Sequence, residues 1–471
     1  MMSIGNLILN NLFKNKEVIS VTIVGSYTKK ISLKKIGDID VVVVCKTLSK
    51  RLIDKLISDV KKINTTKFKK KILVNSSFGP LKITTNQALP IHLMIYDVNS
   101  HIEHATSSPF TCFDWERSKF YKGLHLKEIY PVRNLQLRDF FESRRNFKEY
   151  LSDLSKNKIS IRDYYFKKNT IKLKKKYLKI DARNRGEFVY HIIKFLVINL
   201  NKFLTNKNED LKPKKFEKLF LKITQNDRNL LKLFRVLKKN KEEKILIYNP
   251  KTLILGKIFI RKYNKFINKI KKNTNKINFT RHAKTSKNSL NAFLGSRLDP
   301  DISNKRILKK KISKKFDLTI TSTLKRSKSS AKFFNSKKII SYNLINEIDY
   351  GNADGMQLAH FKKKYPKIIE SWNKGINIKF PNGESTEDVY KRVKKFLNFL
   401  KKIKSKKRIL IISHSFFLRV LIGFLLNIDL KKIYKLKIDH LKLFEMVKIN
   451  NKFSSNFDRN EIKKFEKQLY D

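Results

Sequence analysis

Lys276-Ile277-Asn278-Phe279-Thr280-Arg281-His282 reads as a short strand that runs straight into a charged pair, and far along the chain Arg408-Ile409-Leu410-Ile411-Ile412-Ser413-His414 does the same. Both stretches have the length and β-branching of strands. If they lie parallel in one sheet, His282 and His414 emerge together at its carboxyl edge, where open α/β sheets bind ligands. Two imidazoles and the Arg281 guanidinium there make an anion pocket with a nucleophile. This arrangement requires both rings to face one phosphorus atom, with neither buried away from solvent.

Outward from these strands, Leu318–Thr321 and Ile339–Tyr342 also read as strands, and helices are expected at 324–335, 385–404 and 415–427. Such alternation predicts an α/β region with a mostly parallel, helix-covered sheet over about residues 271–460. The surrounding text is specific. Thr280-Arg281-His282-Ala283-Lys284-Thr285 with Asn288, Leu294-Gly295 with Asp299, Thr321-Ser322-Thr323-Leu324 with Arg326-Ser327, Leu344 with Glu347 and Gly351, Asn382-Gly383-Glu384-Ser385 with Asp388 and Arg392, and Ile411-Ile412-Ser413-His414-Ser415 follow in order. Together these segments resemble the histidine phosphatase family, which includes phosphoglycerate mutases and fructose-2,6-bisphosphatase.

The resemblance implies a three-layer α/β/α fold that needs no cofactor. It implies that His282 attacks phosphorus to form a phosphohistidine, and that Arg281, Arg326 and His414 hold the equatorial oxygens. It further implies that Glu347 protonates the leaving oxygen and then activates water, while Asn288 and Ser327 help line the pocket. The expected substrate is a phosphorylated small molecule. Ala283 stands where the family has Gly, a restriction if that residue needs positive φ.

At the other end, Val21–Val24 is a strand that ends in Gly25-Ser26, a small turn able to approach a phosphate closely. Asp38-Ile39-Asp40 opens the next strand, Ile39–Val44, and residues two apart on a strand share a face. Paired carboxylates form a hard-oxygen site suited to Mg²⁺. With the strand Ile91–Tyr96, this stretch resembles the nucleotidyltransferase superfamily of DNA polymerase β, kanamycin nucleotidyltransferase and CCA-adding enzymes. The resemblance implies that Asp38 and Asp40 bind metal and that Gly25 and Ser26 touch the triphosphate of an NTP. Where the family has a third acid, this chain has His92. Either His92 is the base, or Asp97 or Glu103 substitutes, or transfer is impaired. His101-x-x-His104 with Glu103 could suggest a metal site, but nothing nearby completes it, and polar side chains facing solvent are expected there.

The first region, 1–130, is thus expected to be a nucleotidyltransferase-type mixed sheet with helices, including Leu52–Ile63. From 131 to 270 the strand signal fades, and apolar residues at helical spacing over 135–154, 186–204 and 214–238 predict a helical middle region or a helical extension of the first domain. Asn264–Lys276 reads as a linker.

The 471 residues suggest about three domains. A hydrophobic share of 41%, with 34 Phe, argues against wholesale disorder. The formal charge of +67 (107 basic against 40 acidic residues) would suit nucleic acid or an anionic surface. Lys is spread through every region, however, so a solvated basic surface is favoured over a nucleic-acid or membrane partner. Two cysteines, Cys45 and Cys112, give neither a disulfide framework nor a zinc pattern, and a reducing cytoplasm is expected. No stretch reads as a transmembrane helix; the most apolar, Ile409–Leu430, carries His414 and Arg419.

These expectations add up to a bifunctional enzyme, a metal-dependent nucleotidyltransferase-like domain joined to a phosphomonoesterase. Two alternatives stay open. One is an RNA or tRNA end-processing enzyme. The other is a phosphatase regulated by an N-terminal domain that senses nucleotide without transferring it.

Overall fold

The computed structural model describes residues 3–28, 38–68, 71–80, 88–167, 170–182, 184–207, 211–243, 249–289, 292–303, 312–374, 376–377, 379–403 and 407–470. They form two compact units, one of residues 1–135 with 139–268 and the other of 136–138 with 269–471.

The first unit holds strands β1 (Val18–Val24), β2 (Ile39–Cys45), β3 (Lys71–Asn75), β4 (Ala88–Asp97) and β5 (Tyr121–Gly123) in a five-stranded sheet ordered β3-β4-β2-β1-β5. β2 runs parallel to β4 and antiparallel to β1, so the sheet is mixed. The alternate residues Val41, Val43, Leu93 and Ile95 join the helices Ile4–Phe13 and Lys50–Lys61 in one core. The other face of β2 is also buried at Val42 and Val44, which is why its sequence is continuously apolar.

The middle region departs from expectation. It contains a hairpin, β6 (Lys158–Lys167) and β7 (Thr170–Lys179), paired over their full length. β7 carries Lys172, Lys174, Lys175, Lys176 and Lys179, all exposed, and this run hid the period-two pattern that marks a half-buried strand. The expected helix at 214–238 is two helices, Pro213–Thr224 and Arg228–Glu242, separated by Gln225 and Asn226 at positive φ of 59° and 62°. The expected linker at 264–276 is instead the end of the helix Lys251–Asn273 and the start of the next strand. Tyr263 and Ile267 bury one stripe of that helix while Lys and Asn face outward.

Asn184–Thr205 is, by length and composition alone, apolar enough to cross a membrane, which the sequence reading overlooked. Of its most apolar 18-residue window, 61% is buried inside the unit. His101 and His104 are not surface polarity. Both sit in an aromatic cluster with Tyr96, and His104 stacks on Trp115 at 5.1 Å. Burial pulls their pKa values down to about 4 and about 3.

The second unit is built on β8 (Asn275–Arg281), β9 (Ile312–Phe316), β10 (Leu318–Thr321), β11 (Phe334–Ser336), β12 (Ile339–Ser341), β13 (Ile409–Ser413), β14 (Phe444–Ile449) and β15 (Lys452–Ser455). Six of them form a mixed sheet ordered β12-β10-β13-β8-β14-β15, parallel from β12 to β8 and antiparallel at β14 and β15. Alternation along β13 sends Ile409 and Ile411 into a core with the helices Thr386–Lys402 and Ser415–Leu426. Leu410 and Ile412 enter a second, smaller core with Ala331 and Phe333. The sheet is therefore covered on both faces.

Candidate active site

Strand register brings the two distant motifs together. On the parallel pair β8 and β13, Arg281 lies opposite Ser413, and the backbone N–H of His282 donates to the Ser413 carbonyl at 2.9 Å. His282 and His414 thus sit one step beyond the last paired residues of adjacent strands. Their ring centroids are 5.0 Å apart.

Hydrogen bonding fixes what each ring can do. His282 Nδ1 lies 2.6 Å from the Ala283 carbonyl, which can only accept, so Nδ1 carries the proton and Nε2 keeps the lone pair. Burial, then the Arg281 and Arg326 guanidiniums, holds the His282 pKa well below its ordinary 6.5. His414 Nδ1 accepts from Arg326 Nε at 3.2 Å, so its Nε2–H donates to the Ser322 hydroxyl at 2.7 Å. Burial and the neighbouring His282 push its pKa down as well. Both rings are uncharged near neutrality.

The expectation of two solvent-facing rings is not met: His282 is 2% exposed and His414 fully buried. The rings converge as expected, but each is closed in by the protein groups that hydrogen-bond it.

Arg326 is also fully buried. Besides His414, it donates to the carbonyls of Leu298 and Gly295, each at 2.8 Å, and pairs with Asp299 at 3.5 Å. Arg281 donates from Nη1 to the Ile438 carbonyl at 3.2 Å. The Glu347 carboxylate accepts from the backbone N–H groups of Phe416 at 3.0 Å and Phe417 at 3.3 Å, in the first turn of the helix that follows His414. That helix terminus favours a negative group. Arg392 braces the same segment by chelating Glu384 at 2.8 Å and donating to the carbonyls of Leu344 and Asn346.

Two expected lining residues have other partners here. The Asn288 side-chain oxygen accepts from the N–H of Thr285 at 2.7 Å and from its hydroxyl at 3.0 Å. The Ser327 hydroxyl donates to the Ile412 carbonyl at 2.7 Å and accepts from the Ser322 N–H at 3.0 Å.

Two contributors were missed. Ser322 stood only as part of a motif, yet its hydroxyl accepts the hydrogen bond from His414 Nε2–H. His440 donates from Nδ1 to the His282 carbonyl at 2.6 Å, with its ring centroid 5.3 Å from that of His282. No local motif marks His440; it arrives because β14, just after it, pairs antiparallel with β8. Beside these residues lies a cavity of about 490 Å³ whose lining includes Arg281, Arg419 and His440.

In the first unit, Asp40 on β2 lies opposite Val24 on one side and His92 of β4 on the other. Gly25 has φ of 76°, and a Cβ there would come within 2.5 Å of an Asp40 carboxylate oxygen. Gly25 and Ser26 are exposed, and Asp38 is partly buried just before β2. His92 Nε2 is 2.6 Å from the Ser77 carbonyl and Nδ1 is 3.0 Å from Asp40 Oδ1. Both ring nitrogens thus face protein oxygens, and neither is turned toward an acceptor hydroxyl, as a base would be. Among the described residues there is no group of three or more His, Cys, Asp or Glu able to hold a metal ion. An ion at Asp38 and Asp40 would need further oxygens, such as those of a nucleotide's phosphates.

Comparison with known proteins agrees with the geometry of the second unit. Residues 277–456 match the histidine phosphatase superfamily (branch 1). Phosphoserine phosphatase 1 of Hydrogenobacter thermophilus is 30% identical over 175 residues, which are 35% of this chain and 82% of that protein. A phosphoglycerate mutase of Schizosaccharomyces pombe is 29% identical over 160 residues, 30% of this chain and 75% of that protein. The solved alpha-ribazole phosphatase from Shigella flexneri aligns over 38% of this chain and 94% of its own, with 18% identity and a TM-score of 0.34. The C-terminal domain is an enzyme of the phosphatase or phosphoglycerate mutase kind, and through residues 277–456 the chain belongs to the histidine phosphatase superfamily, branch 1.

Proposed function

We propose that the C-terminal domain hydrolyses a phosphomonoester through a phosphohistidine on His282. One observation carries this: two neutral imidazoles 5.0 Å apart, the first with Nε2 unprotonated, beside the buried guanidinium of Arg326 and the partly buried one of Arg281. In the first step the Nε2 lone pair forms an N–P bond as the P–O ester bond breaks, and Glu347 in its acid form gives the departing oxygen its proton. In the second step Glu347 as carboxylate takes a proton from water, the O–P bond forms, and the N–P bond breaks to release phosphate. Arg281 and Arg326 offset charge on the equatorial oxygens. His414 shares that task once its Nε2–H turns from Ser322 to the phosphoryl group. The substrate is a phosphorylated small molecule.

His282→Ala should abolish phosphate release from p-nitrophenyl phosphate and the acid-labile labelling of the protein by phosphate. Retention of wild-type turnover by this variant would refute the assignment. Net mutase action would need the phosphohistidine kept from water.

For the first unit we retain the bifunctional reading, in which Asp38 and Asp40 would hold Mg²⁺ and Gly25 and Ser26 would meet the phosphates of an NTP. Bound there, Mg²⁺ would offset charge on those phosphates. The pairing of His92 with both Asp40 and Ser77 favours a second version, in which this unit binds nucleotide without transferring it. Buried, free Cys45 and Cys112 accord with a reducing cytoplasm. RNA end-processing has no comparable observation in its favour.

A further inference from the structure

Arg326 is aimed by a loop distant in sequence. Its two terminal nitrogens donate to the carbonyls of Gly295 and Leu298, each at 2.8 Å. A guanidinium is rigid and planar, so two fixed acceptors set both where its fork lies and how it is turned. Whatever holds residues 295–298 therefore also aims Arg326.

One carboxylate holds them. Asp354 Oδ1 accepts from the N–H of Gly295 at 2.7 Å, and Oδ2 accepts from the N–H groups of Arg297 at 2.7 Å and Leu298 at 3.1 Å. Gly295 and Leu298 thus give their N–H groups to Asp354 and their carbonyls to Arg326. The approach is close: a Cβ on Gly295 would come within 2.9 Å of Asp354 Oδ2 and 2.8 Å of the Ile348 carbonyl. Hydrogen bonds to an ionised acceptor are about twice as strong as neutral ones, so three of them on one carboxylate make a firm clamp.

The clamp belongs to the segment that carries Glu347. Ser296 N–H donates to the Ile348 carbonyl at 3.2 Å, and Arg297 chelates Asp349 at 2.8 and 3.0 Å. Residues 347–354 therefore bear the acid–base carboxylate at one end and the holder of the Arg326 loop at the other. Burial disfavours the Arg326 cation, and Glu347, Asp299 and Asp354 in turn favour it.

We propose that Asp354 is a positioning residue for phosphoryl transfer: its carboxylate fixes the loop 295–298 so that Arg326 meets the equatorial oxygens of the transition state. The inference rests on the phosphatase reading above.

The test uses the full chain, p-nitrophenyl phosphate as substrate, and inorganic vanadate and inorganic phosphate as inhibitors. Vanadate can take the five-coordinate geometry of the transition state, whereas phosphate cannot. Asp354→Asn keeps the size of the side chain and removes its charge and one acceptor. Its kcat should fall about tenfold or more, with KM changing less than about threefold, because the interaction lost is made in the transition state. The vanadate inhibition constant should rise by a similar factor, and that of phosphate by less. In an Arg326→Gln background, Asp354→Asn should lower kcat by less than about twofold, because its effect runs through the guanidinium. Asp354→Ser, without amide N–H groups to face the loop donors, takes its place if Asp354→Asn shows no cooperative urea transition. An unchanged kcat in the folded variant, or an undiminished fall in the Arg326→Gln background, would overturn this inference alone. Turnover of p-nitrophenyl phosphate that survives His282→Ala would remove the phosphatase reading and this inference with it.

Discussion

His282 can attack phosphorus only when one ring nitrogen is bare. Two neighbours secure that state: the Ala283 carbonyl takes the Nδ1 proton, while burial and the flanking guanidiniums disfavour the imidazolium. The sign follows directly. A base whose folded pKa is lowered below 6.5 stays neutral as pH falls through 6.5 and gains its proton only at lower pH. With the substrate's own ionisation near pH ~6 factored out, kcat/KM for p-nitrophenyl phosphate should hold level down to about pH 6 and decline only below it. An acid limb centred at 6.5 or higher would contradict this environment. That Arg281, His282, Arg326, Glu347 and His414 are the candidates was legible in the ordered motifs, through residue type and spacing. The proton assignments were not, because they depend on which carbonyl or guanidinium each ring nitrogen meets.

Elements hold these residues in place through interactions with no chemistry of their own. The Ser327 hydroxyl ties the Ile412 carbonyl of β13 to the Ser322 N–H after β10, and Ser322 in turn orients His414. Ser327→Ala would remove both of these bonds and leave the Ser322 N–H and the Ile412 carbonyl only their mutual 3.3 Å bond. It should destabilise the fold by about 1–3 kcal/mol, measured by denaturant midpoint, and lower kcat more than it raises KM. No loss of stability would argue that water or movement replaces the strut. The elements also mark where periodicity was a good guide. The strands β8, β10 and β13 were readable because their apolar runs are short and bounded. The β6–β7 hairpin and the end of the helix Lys251–Asn273 were not, because exposed lysines and asparagines occur on helices, strands and linkers alike.

At the scale of the molecule, five histidines, His101, His104, His282, His414 and His440, are held neutral chiefly by burial. Unfolding returns each to an ordinary pKa near 6.5, so between about pH 6.5 and 4 the unfolded chain binds protons that the folded one refuses. Stability is then greatest above 6.5 and falls with falling pH, by about 1.4 kcal/mol per fully buried histidine for each pH unit in that window and by less for the partly exposed His440. Unfolding free energies from urea titrations at pH 7.5 and at pH 5 should differ by several kcal/mol in that direction, and equal values would mean that these rings are hydrated in solution. The alternating α/β pattern, the paired Asp38 and Asp40, and the ordered motifs ending in His282 and His414 can be read without a fold, because they are local properties of residue type and spacing. Tertiary contacts alone set Ser413 opposite Arg281, bring His440 beside His282, close Asp40 on His92 and open a basic cavity next to Arg281. Those are contacts between residues far apart in the chain, fixed by strand register and core packing rather than by any local pattern.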